Sequence, residues 1–128
     1  MESNEFTITT TEKDYNLKAS VRQIGSDLLV AIWGGDKPHI GAVAVAQPRP
    51  SLKDPARISA SASVFCFVGH KEDDLAKAAS EKLASALNTP VVVTAGIHWD
   101  NLNADGIRQV VQNSRLLMDQ IIAKVLNL

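Results

Sequence analysis

An α+β fold of two layers, a largely antiparallel (mixed) sheet of about six strands carrying two main helices, is the architecture this sequence predicts. Three observations predict it. Apolar residues alternate with polar ones near the N-terminus, four further segments are short apolar or small-residue runs, and two later segments repeat apolar residues at helical spacing. The 128 residues, 45% hydrophobic, suffice for one core and are too few for two ordinary domains, so a single domain over 1–128 is expected.

Phe6, Ile8 and Thr10 alternate with polar neighbours, as do Leu17, Ala19 and Val21 with Lys18, Ser20 and Arg22. These are two half-buried strands joined by a hairpin near Asp14. LLVAIW (Leu28 to Trp33) and IGAVAVA (Ile40 to Ala46) are apolar on both faces and belong in the middle of the sheet, or under a partner. In QPRPSLKDPAR three prolines remove amide donors and fix φ, which predicts the longest loop and no continuing strand. ISASASVFCFV (Ile58 to Val68) re-enters a strand with Ser59, Ser61 and Ser63 on one face and Ala60, Ala62 and Val64 on the other.

The first helix is predicted from Leu75, Ala78, Ala79, Leu83, Ala86 and Leu87, with Glu72, Asp73 and Asp74 in the first turn, where the helix dipole favours negative charge. Asn88, Thr89 and Pro90 end it. The strand PVVVTAG follows, and Asn103 caps a second helix whose stripe is Ile107, Val110, Val111, Leu117, Ile121, Ile122 and Val125. Leu116, Met118, Leu126 and Leu128 fall off that stripe, as a dimer contact or frayed-end packing would have it.

Net charge is −1 and no run of lysines and arginines occurs, so nucleic acid is not an expected partner. The segment MESNEFTITTTEKD lacks the basic start and apolar stretch of a signal peptide, and no segment approaches a membrane span, so a cytoplasmic protein without a membrane partner is expected. The single Cys66 cannot form an internal disulfide and reads as a buried strand cysteine.

The chemistry sits in the histidines. DKPHIG (His39), VGHKEDD (His70) and AGIHWDN (His98) each place an imidazole at a strand end among turn residues. If the strand starting at His39 pairs antiparallel with the one ending at His70, both histidines share an edge. The helix crossover to the His98 strand makes that strand parallel to the His70 strand and brings His98 to the same edge. This rim would carry a Gly34-Gly35 turn, Asp36, Lys37, Lys71, Asp73, Asp74 and Asp100 beside the imidazoles. Three histidines around an open position suit catalytic zinc, yet each comes from a separate segment, so no metal ligand is assigned. No dinucleotide fingerprint, P-loop or nucleophile elbow is present, and no catalytic residue is assigned. Trp33 and Trp99 adjoin the rim and could stack on a planar ligand, Trp33 equally serving a core or dimer contact.

GGDKPHIGAVAVA, GHKEDD and GIHWDN resemble the signature blocks of the LpdD-like prenylated-flavin chaperones, over nearly the whole chain in order and spacing. The resemblance implies a fold like that of the eukaryotic proteasome-assembly chaperones of the Pba3/Pba4 type, a homodimer, and a role accessory to a decarboxylase rather than catalytic. The implied cargo is reduced prenylated FMN, delivered to an apo UbiD-type decarboxylase of gallate or related hydroxybenzoates, with a flavin prenyltransferase upstream. The candidate cofactor-binding residues are those in the matching blocks: Gly34, Gly35, Asp36, Lys37, His39, His70, Lys71, Asp73, His98, Asp100 and Asn101. A flavin phosphate would draw on Lys37, Lys71, the glycine amides and the first-helix N-terminus, and a protonatable histidine would pair with a reduced, anionic ring. The rival readings are a three-histidine metal-dependent enzyme and a flavin-free protein assembly module.

Overall fold

Leu17, Ala19 and Val21 are fully buried while Lys18, Ser20 and Arg22 are exposed, the two-residue period of a strand with one covered face. A computed structural model describes residues 4–70 and 72–128. The order is β1 (Glu5–Thr9), β2 (Leu17–Ile24), β3 (Asp27–Gly35), β4 (Ala42–Pro50), β5 (Ile58–Cys66), α1 (Asp73–Leu87), β6 (Val91–His98) and α2 (Ala104–Leu126). The strands form one mixed sheet in the order β1-β2-β3-β6-β4-β5, in which only the β3–β6 pair is parallel. The expected α+β architecture of six strands and two helices is the one observed.

β6 separates the two strands expected to form the middle of the sheet. Its Val91, Val93 and Ala95 are fully buried and its Val92 and Thr94 half-buried, as a central strand requires. The chain must therefore pass from β3 to β4 over the end of β6, and 36–41 forms that arch. The arch is bonded to β6 on both sides: Asp36 N donates to His98 O (2.7 Å) and Gly41 N to Ala95 O (2.9 Å). Beneath it Gly96 has no room for a side chain, since a Cβ would stand 1.5 Å from the His39 carbonyl oxygen.

Both helices cover the same face, α1 over β4, β5 and β6 and α2 over β2 and β1. Between them lies the core of Leu17, Val30, Ile32, Ala44, Leu83, Val93, Leu117 and Ile121. α2 also reaches the β1–β2 loop, where Asn113, itself buried, donates from Nδ2 to Asp14 O (2.9 Å) and Tyr15 O (2.8 Å). On the opposite face, registered rows run Leu29–Val92–Val45–Ser63 and Ala31–Thr94–Val43–Phe65. Leu29, Val45 and Phe65 are exposed there, and no element of the described chain covers them.

Five expectations are corrected. Pro48 and Pro50 do not break β4, which runs to Pro50 in register with β5. Ser51 N donates to Arg57 O, so the alternating positions 48 and 50 turn their nitrogens away from β5, toward the side that β6 has already left at Ala46. Gly34 and Gly35 are not a turn but the end of β3, paired with Ile97 and His98. The buried face of α1 is Ala76, Ala79, Ser80, Leu83 and Ala84, while Ala78 and Ala86 are exposed; Ser80 is tolerated because its hydroxyl donates to Lys77 O (3.0 Å). In α2, Met118 is in the core and Ile107 and Val111 are exposed, lining a hollow of about 540 Å³ against Leu75 and Ala78 of α1. Cys66 is free and half-buried rather than buried, because β5 is an edge strand.

Candidate functional site

β4 begins just after His39, β5 ends just before His70, and β6 ends at His98, so the arrangement of strands brings all three histidines to one rim. There they line a hollow of about 620 Å³ with Lys37, Gly69, Glu72 and Ile97. The parallel β5–β6 direction expected from the crossover holds, although β4 lies between the two strands.

Glu72 is the residue that sequence reasoning missed. It occupies the N-cap position of α1 without capping it. Its carboxylate turns into the rim instead, where Oε1 lies 2.7 Å from His39 Nε2 and accepts from Ile97 N (3.4 Å), and Oε2 lies 3.8 Å from His70 Nδ1. The side chain is only 11% exposed. Gly41 makes the space, for a Cβ there would lie 2.2 Å from Oε2. The His39 and His70 rings are 4.7 Å apart, tilted 34° to each other. The other nitrogen of His39, Nδ1, is 2.8 Å from Lys37 O. Both His39 nitrogens thus face oxygen acceptors.

His98 stands apart from this cluster in an exposed setting. Its Nε2 is 2.9 Å from Asp100 Oδ1, Lys37 Nζ is 3.9 Å from the same oxygen, and Asp100 N donates to Asp36 Oδ2 (3.2 Å). The hydrogen bond to His98, followed by the Lys37 charge, holds the Asp100 carboxyl below the usual aspartate range.

The remaining expected residues have other places. Gly34 is buried under Leu17 and Trp99, and Gly35 adopts φ +92 with its α-carbon against the His98 carbonyl, so both glycines serve the close approach of β3 and β6 rather than lining the hollow. Asp36 and Asp100 sit behind His98, and Asn101 takes φ 59 in the turn that follows. Asp73 is exposed in the first turn of α1. Lys71 lies outside the described residues. Trp99 packs at right angles to Tyr15 (5.2 Å) against the core and does not line the hollow. Trp33, half-buried, belongs to the uncovered face of the sheet.

Three comparisons bear on this arrangement. Protein LpdD of Lactiplantibacillus plantarum is 26% identical over 117 residues, which span 91% of this chain and 82% of that protein. A crystal structure of a chaperone complex for yeast 20S proteasome assembly shares the fold, with a TM-score of 0.59 at 11% identity over 98% of this chain and 99% of that one. The sequence pattern of the prenylated flavin chaperone LpdD-like domain matches residues 11–126, and the chain belongs to that family.

Proposed function

We propose that this protein is an accessory chaperone that binds reduced prenylated FMN and delivers it to an apo UbiD-type decarboxylase of gallate or a related hydroxybenzoate, performing no decarboxylation itself. The observation that carries the reading is the gathering of Lys37, His39, His70 and His98 around one hollow in a member of the prenylated flavin chaperone family. At about 620 Å³ the hollow is within the range of ligand sites. A reduced flavin can carry negative charge on its ring as well as on its phosphate, and imidazolium and ammonium groups are the partners that favour it over the neutral oxidised ring. Glu72 keeps the rim from being wholly cationic. This limits affinity for an anion, as suits a carrier that must release its cargo to a tighter-binding enzyme.

The homodimer belongs to the same proposal. Leu29, Val45 and Phe65, exposed on a sheet face with no covering layer, form an apolar surface that a second copy would bury by sheet-on-sheet packing. A flavin prenyltransferase would act upstream, in the cytoplasm. No helix among the described residues is long and apolar enough to cross a membrane.

An anaerobic absorbance titration tests the reading. Reduced prenylated FMN should saturate the protein and FMN should not, and alanine at His39, His70 or His98 should narrow the preference for the reduced form. Unchanged discrimination in all three variants would overturn the histidine role. Binding of the decarboxylase without any flavin would make the protein an assembly module, and turnover of gallate by the isolated protein would make it an enzyme.

A further inference from the structure

We propose that His39, His70 and Glu72 form a site for one divalent transition-metal ion, with a ring nitrogen from each histidine and a Glu72 carboxylate oxygen as ligands. Ligand atoms of these three residues all lie within 4.8 Å of one another, the one such grouping among the described residues. Tetrahedral coordination with bonds of about 2.0–2.1 Å separates neighbouring ligand atoms by about 3.3 Å. The observed separations are 2.7 Å from His39 Nε2 to Glu72 Oε1 and 3.8 Å from His70 Nδ1 to Glu72 Oε2, with no ligand atoms of the group more than 4.8 Å apart, so binding requires the exposed His70 ring to draw inward by side-chain rotation.

The surroundings are those of a ligand set. His39 Nδ1 is within hydrogen-bond distance of the Lys37 carbonyl, and a proton held there leaves the Nε2 lone pair aimed at the cluster, as backbone carbonyls commonly arrange behind metal-bound imidazoles. With that tautomer, Nε2 can meet the carboxylate only through a second proton or through a cation in its place. Glu72 is fixed by the Ile97 amide and by the space that Gly41 leaves, and it is largely shielded from water. Two imidazoles and one carboxylate suit Fe²⁺, Co²⁺ or Zn²⁺ better than Ca²⁺ or Mg²⁺, which prefer oxygen, and leave further coordination positions toward the hollow. His98 is no part of it, being engaged by Asp100. The site replaces the three-histidine arrangement that the sequence suggests, and it does not depend on flavin binding.

Titration of the chelator-treated full-length protein with Co²⁺, followed by visible absorption and by elemental analysis, tests the site. One Co²⁺ per chain is expected. His70→Ala, at a partly exposed side chain that the core does not need, should weaken binding by about tenfold or more, and Glu72→Gln likewise, whereas His98→Ala should leave it within about twofold. Circular dichroism of Glu72→Gln checks that its backbone is intact, and the His70→Ala result stands whatever that check returns. Absence of stoichiometric Co²⁺ at about 100 μM, or equal affinity in wild type and His70→Ala, would overturn the proposal.

Discussion

The rim holds two histidine–carboxylate arrangements that differ in how they are supported. On one side Glu72 is 11% exposed, seated on a glycine and bonded to a backbone amide, and it meets two imidazoles. On the other side His98 and Asp100 are 44% and 58% exposed and meet beside Lys37 in open solvent. Both pairs have hydrogen-bonding distance, 2.7 and 2.9 Å. Distance alone therefore does not rank them. A screened, mobile pair contributes little to stability, whereas a shielded carboxylate that lost its partners would leave polar groups without hydrogen bonds. The shielded side is built for fixed geometry, and the open side leaves its side chains room to rearrange.

The sharpest way to break this contrast is at the glycine beneath the arch. Gly96→Ala places a methyl group against the His39 carbonyl, a backbone atom held in place by hydrogen bonds on either side, and should lower stability by about 3 kcal/mol in urea denaturation. Gly69→Ala, where a Cβ meets nothing within 4 Å, keeps only the strain of φ +82 and should cost about 1–2 kcal/mol. Equal losses would mean that the arch does not press on β6. Next in size, Glu72→Gln should cost about 1–2 kcal/mol, while Asp100→Asn, at an exposed pair, should cost far less at neutral pH. If the two substitutions behaved alike, the difference in shielding would not govern the rim.

The smallest effect is a titration. NMR of the Asp100 carboxyl should give a midpoint below the ordinary aspartate value, and His98→Ala should raise it. Because the folded-state pKa is the lower one, this pairing contributes stability at pH values above the unfolded aspartate pKa. The contribution is lost as pH falls through the folded value, so His98→Ala should flatten the acid limb of the stability curve, its small cost lying above the unfolded aspartate pKa and vanishing at low pH.

Sequence logic reaches the meeting of the three histidines because it needs only strand direction: one imidazole before β4, one after β5 and one after β6 share an end whatever the strand order. The order itself is not legible, since β6 pairs with β3 and β4 through contacts distant along the chain and carries no local mark of its neighbours. Glu72 is hidden by a good local rule. An acid before a helix is expected to serve the dipole, and nothing nearby announces that its carboxylate turns toward His39, 33 positions earlier. Its place two residues after His70 is the available signal. Pro48 and Pro50 mislead for the complementary reason, because a proline forbids a strand only where its nitrogen must face a partner. Ile107 and Val111 have the right period but lie where α1 leaves a gap.

The passage of 36–41 over β6 also has a kinetic meaning. β3, β4 and β5 precede β6 in the chain, so the gap between β3 and β4 cannot close until residues 91–98 have been made and have entered beneath the arch. The carbonyls that fasten the arch belong to Ala95 and His98, both on that last strand. The rim is therefore complete only once β6 is in place.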